Sequence, residues 1–126
     1  MISFQWITLS FLLVSGALFA YLISFEETYL QDLYEKGKTG DKKHRYQPDI
    51  VRRYQKCIQL MKKVPDIESL AKYNSLNYEV LKGDKNGISS IRVNDKYRVE
   101  FTVRETMEEP IIIVCNIIDL SNHYKQ

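Results

Sequence analysis

Two short stretches of this chain alternate apolar and polar residues, Ile88–Val93 and Tyr97–Phe101, with Asn94-Asp95-Lys96 between them. The alternation predicts two half-buried strands, and the interruption predicts a β-hairpin. Parity sets its register. Ile91 and Val93 share one face of the first strand; Tyr97, Val99 and Phe101 share one face of the second. Both sets reach a common core only if Val93 opposes Tyr97 across a three-residue loop. Arg92 then opposes Arg98 on the other face. Like charges across a ladder repel. Two guanidiniums so placed suit either a solvated face, where exposed charges cost little, or a site that takes phosphate or carboxylate.

Upstream the apolar period is helical. Tyr29, Leu30, Leu33 and Tyr34 form a stripe on a helix over Glu26–Lys36, with Gly37 as its C′ residue. Thr39–Gln47 is a basic, turn-rich loop, suited to solvent or to a nucleic-acid contact. A second helix opens at Pro48 and runs to Lys63, with Ile50, Tyr54, Cys57, Ile58, Met61 and Val64 on its core face and Pro65 as its stop. Asp66–Tyr73 adds a helical turn packed through Ile67 and Leu70. From Tyr78 the period becomes alternating: a strand over Tyr78–Leu81, a glycine turn over Gly83–Gly87, the hairpin, and an acidic turn over Arg104–Pro110. Ile111–Ile118 is apolar on both faces, which predicts a central strand with neighbours on both sides. Asp119–Gln126 is a polar tail. The order predicts an α+β domain with two N-terminal helices packed on one face of a roughly four-stranded antiparallel sheet.

Residues 1–25 carry no charged side chain. Within them Ile7–Ile23 is apolar over about seventeen residues, the lower limit for spanning a bilayer. A signal peptide cleaved near Ser15-Gly16-Ala17 would need a basic start, which is missing here. A true anchor would be followed by Lys36, Lys38, Lys42, Lys43 and Arg45, which keep the rest of the chain on the cytoplasmic side.

The 126 residues suit one domain, and a net charge of +2 does not announce a nucleic-acid binder. Cys57 and Cys115 fall on apolar faces and read as reduced core thiols. His44 and His123 are far apart, and no Cys/His/Asp cluster has metal-ligand spacing, so neither metal nor cofactor is expected.

The outward face of the hairpin and its extension carries Arg92, Arg98, Glu100, Thr102 and Arg104. Lys82 stands where the preceding strand meets the glycine turn, and His123 follows the last strand. Two arginines, a lysine and a histidine without a metal suit cleavage of RNA by its own 2′-hydroxyl. That reaction needs a group to take the 2′ proton, cations for the phosphorane charge and an acid for the 5′ oxygen. Histidine titrates nearest neutrality.

The run LKGDKNGISSIRVNDKYRVEF, Leu81–Phe101, resembles the HigB-like branch of the RelE/ParE toxin superfamily, the killer half of bacterial toxin–antitoxin pairs. Leu81-Lys82-Gly83-Asp84, Gly87, Ser90-Ile91-Arg92-Val93-Asn94, Tyr97-Arg98-Val99 and Phe101 follow the family pattern in order, and a histidine near the end, His123, matches too. The resemblance covers about Leu22–Tyr124. It implies two helices on an antiparallel sheet and a ribosome-dependent, metal-independent endoribonuclease that cuts translated mRNA in the cytoplasm. It also implies a HigA-like helix-turn-helix antitoxin as partner. Lys82, Arg92, Arg98 and His123 become catalytic candidates, and Lys85, Arg104 and Tyr124 candidates for RNA contact. The family often ends Asp-Tyr-His, whereas this chain reads Ser121-Asn122-His123-Tyr124. Leu22-Ile23-Ser24-Phe25 fits the family's short opening strand. Residues 1–21 are therefore expected to be an extension, either a misplaced start or a signal or membrane segment, ahead of a toxin domain over 22–126. Two other functions stay open: a non-catalytic ParE-like toxin that binds a protein such as gyrase, and a membrane-anchored interaction module.

Overall fold

The computed structural model describes residues 10–14 and 17–122. Two strands come first, β1 (Ser10–Val14) and β2 (Ala17–Phe25), then two helices, α1 (Thr28–Lys36) and α2 (Pro48–Lys63). Short 3-10 turns over Ile67–Lys72 and Asn74–Leu76 lead into β3 (Glu79–Val80), β4 (Ser89–Arg92), β5 (Tyr97–Glu105) and β6 (Ile111–Asn122). The described strands form one sheet in the order β1-β2-β6-β5-β4-β3.

The α+β class and the two helices match the expectation; the roughly four-stranded antiparallel sheet does not. The sheet is mixed, because β2 runs parallel to β6, with Phe19 to Phe25 pairing Ile111 to Ile117. The reason lies in β6. Apolar on both faces, it takes a neighbour on each edge, β5 on one side and β2 on the other. The apolar segment ahead of Leu22 supplies the added length, so residues 17–21 continue the strand. Residues 15–16 of the small-residue stretch lie outside the described residues, as do 1–9. Among the described residues no helix is long and apolar enough to cross a membrane.

Both helices are built as their sequences dictate. Gly37 takes φ 74° and donates its N–H to Leu33 O at 3.2 Å, a left-handed closure that costs a glycine nothing. Pro48 occupies the first turn of α2, where its missing N–H is no loss. Tyr29, Leu30 and Leu33 of α1 and Tyr54, Ile58 and Met61 of α2 are buried against Ile23 and Phe25 of β2, Val99 and Phe101 of β5, and Cys115 and Ile117 of β6. The Tyr54 hydroxyl, wholly buried, donates to Leu30 O at 2.7 Å and ties the helices together. Cys57 and Cys115 are buried free thiols, and burial pushes both up to about 11.

Two smaller differences bear on function. The strand expected over Tyr78–Leu81 shrinks to Glu79–Val80. The polar tail expected from Asp119 is instead strand as far as Asn122. A β-bulge explains the second. Phe101 pairs Ile117 while Glu100 pairs Asp119, leaving Ile118 as the extra residue. The bulge resets the alternation, so Leu120, 2% exposed, returns to the core opposite Val99 and carries the polar end of β6 along β5.

Candidate active site

The β4–β5 hairpin has the register that parity requires. Val93 N–H donates to Tyr97 O at 2.9 Å, and Asn94 Oδ1 accepts from the N–H groups of Lys96 and Tyr97, both at 2.8 Å. This Asx turn holds the loop at three residues. Ile91 then pairs Val99, and Arg92 pairs Arg98. The two guanidinium-bearing residues therefore stand on one face, opposite the core.

Their surroundings differ. Arg92 is exposed and forms an ion pair with Asp95 in the turn. The Arg98 side chain is only 13% exposed, and its Nη1 lies 3.8 Å from Glu79 Oε1 on β3. On its other side Arg98 pairs Ser121 of β6, while Tyr97 pairs Asn122. The bulge thus brings the end of β6 beside the arginine.

Lys82 and Lys85 come from the glycine turn. Gly83 and Gly87 both take positive φ, 72° and 86°, which an L side chain resists. Gly87 N–H closes the loop on Leu81 O at 3.2 Å. The turn curls over the sheet, and Lys82, Lys85, Arg98, Glu100, Ser121 and Asn122 line one cavity of about 330 Å³. Lys82, Lys85 and Arg98 are thereby brought together at the C-terminal end of β6.

Glu100 departs from the expected open face: it is 4% exposed. Lys85 Nζ donates to both of its carboxylate oxygens, at 2.8 and 3.1 Å, and Ser121 Oγ donates at 2.9 Å. A buried carboxylate needs such partners. Its alternation with Arg98 placed it on this face, but Lys85 lies in a loop and Ser121 beyond a bulge, so pattern alone did not reveal them. Asp119, opposite Glu100, accepts from the Tyr29 hydroxyl at 3.3 Å. Burial and the Glu100 charge push its carboxyl above the ordinary value.

Other candidates fall elsewhere. Arg104 is exposed and pairs Val114, six residues and therefore about 20 Å along β5 from Arg98. It shares no surface with the cavity. Arg92 lines a neighbouring groove that meets the cavity at Asn122. His123 and Tyr124 lie outside the described residues, directly after Asn122.

The family model for HigB-like toxins, described as the RelE-like toxin of the type II toxin–antitoxin system HigB, matches residues 23–113. This chain belongs to that family. The match runs from β2 to the start of β6 and takes in Lys82, Arg92 and Arg98. As a type II toxin of the RelE-like family, it pairs with an antitoxin. Among solved structures it is similar to a YoeB/ParE toxin from Agrobacterium tumefaciens, at 20% identity and a TM-score of 0.49, over 81% of this chain and 98% of that one. No curated protein matches it.

Proposed function

We propose that this HigB-like toxin is a metal-independent endoribonuclease that cuts mRNA on the ribosome and so stops translation. The observation that carries the reading is the Arg92–Arg98 pair across β4 and β5, with Lys82 in the same cavity as Arg98. Paired guanidiniums grip phosphate oxygens through fixed forks of donors. In this reading Arg98 and Arg92 hold the scissile phosphate and Lys82 adds a fixed positive charge. As the 2′-oxygen attacks phosphorus, charge accumulates on the equatorial oxygens, where these cations lie. His123 takes the 2′ proton or supplies the proton that lets the 5′ oxygen leave, and solvent water exchanges the other proton. The products are a 2′,3′-cyclic phosphate and a 5′-hydroxyl end. The partner is a HigA-like helix-turn-helix antitoxin, and the toxin works in the cytoplasm, on translating ribosomes.

Induced expression tests this. Arg98→Ala and His123→Ala, made separately, should each relieve growth arrest, with transcript cleavage reduced about 10²–10³-fold and folding retained. Two fully toxic variants would overturn the assignment. Intact transcripts accompanied by DNA damage would replace it with a gyrase-directed toxin.

A further inference from the structure

Three cavities adjoin through shared lining residues. The candidate active site meets, at Asn122, a larger groove of about 740 Å³ between the tip of the β4–β5 hairpin and the start of α2. Arg92 and Lys96 line its hairpin side; Arg45 and Arg53 line the other. Arg45 and Tyr46 are shared in turn with a third groove of about 480 Å³, which adds Lys38 and Arg52 and has no carboxylate among its lining residues.

The middle groove holds four cations against two carboxylates, Asp49 and Asp95. Asp95 pairs with Arg92, and Asp49 lies 3.4 Å from Arg52 and from Arg53. Exposed pairs of this kind are worth little and give way to a better anion. The groove also presents aromatic rings. Tyr46 and Tyr97 meet edge to face at 5.6 Å, and the Tyr46 hydroxyl donates to Leu120 O at 2.9 Å, which fixes its ring. The loop bearing Arg45 is pinned as well. His44 stacks on Tyr29 at 3.6 Å, and its Nδ1 lies 2.9 Å from Asp41 Oδ2. A fixed basic surface interleaved with aromatic rings is the physical pattern of single-strand nucleic-acid binding.

We propose that the linked grooves form a track for single-stranded RNA leading away from the candidate active site. Backbone phosphates lie on Arg92, Lys96, Arg53 and Arg45, and bases rest on the exposed parts of Tyr46 and Tyr97, whose rings are half-buried against the core. The substrate class rests on the nuclease reading. An acidic segment of a protein partner would use the cations but leaves the tyrosines and the opening into the active site unexplained.

The test is fluorescence anisotropy with the full chain and a labelled 2′-O-methyl RNA dodecamer, which lacks the hydroxyl needed for its own cleavage. R45A/R53A should weaken binding about tenfold or more and make the salt dependence shallower by about 1.4, at ~0.7 per lost phosphate contact. K63A/K72A removes the same charge outside the three grooves and should bind like the wild type. Equal losses in both double variants, or none in R45A/R53A, would overturn the track. So would unchanged RNA binding by R45A/R53A with weakened antitoxin binding, which would give the groove to the protein partner. A wild-type chain that binds the dodecamer through these arginines yet never cuts a transcript would remove the nuclease reading and still support the track.

Discussion

The two faces of the β4–β5 hairpin share one backbone ladder and are built on different physics. On the inner face Ile91, Val99 and Phe101 have no exposed surface and are held by apolar contact with the helices. On the outer face Ser90 and Glu100 are buried almost as fully, 0% and 4% exposed, and an ion pair to Lys85 of the glycine turn holds the Glu100 carboxylate. Apolar burial is non-directional and follows area. Burial of a carboxylate is directional and stands only while its donors are in place. Equal depth therefore conceals unequal tolerance: the inner face accepts a repacked hydrophobe, whereas the outer face depends on particular partners.

Substitutions on each side sharpen the contrast. Phe101→Ala should have the largest effect, a loss of about 3–5 kcal/mol in urea unfolding, because it opens a cavity in the core that the helices and the sheet share. A loss below about 1 kcal/mol would show that this ring is not what holds the inner face. Glu100→Gln nearly preserves shape and removes the charge that Lys85 and Ser121 serve. It should cost about 1.5–3 kcal/mol, the range for hydrogen bonds to a charged group. If Lys85→Ala and the double variant lose as much as Glu100→Gln alone, the pair acts as one unit. Independent, additive losses would break the account of the outer face.

Asp119→Asn should have the smallest effect and the opposite sign. The Asp119 carboxyl titrates higher in the folded chain than in the unfolded one. Its protonated form is therefore favoured by folding. That contribution is complete below the ordinary carboxylate value and disappears as pH rises through the folded value. Asparagine keeps an acceptor for the Tyr29 hydroxyl without the charge. The variant should melt slightly higher at neutral pH and lose part of the decline in stability seen on leaving acid. Thermal melts across pH 3–7 read both effects, and an unchanged profile would exclude Asp119 as the source.

Much of this molecule was legible from local pattern. Helical spacing located α1 and α2, Gly37 and Pro48 marked an end and a start, and parity alone put Val93 opposite Tyr97 and so Arg92 opposite Arg98. These features depend on neighbours a few residues apart, whose geometry the backbone repeats impose. The run that carries Lys82, Arg92 and Arg98 stood out by its resemblance to the HigB-like family, and it lies within one turn and one hairpin.

Long-range pairing was not. The parallel contact of β2 with β6 joins residues about ninety positions apart, and apolar character shows that a strand seeks neighbours without saying which. The bulge at Ile118 inverts the alternation at the very place where the polar end of β6 begins, so Ser121 and Asn122 reach Arg98 only in the folded sheet. Lys85 likewise meets Glu100 because two glycines fold the turn back over the strands. One-dimensional periodicity records which face a side chain takes along its own strand. The partner across the sheet is selected by the packing of the whole core, and the grouping of charges at the end of β6 follows from that choice.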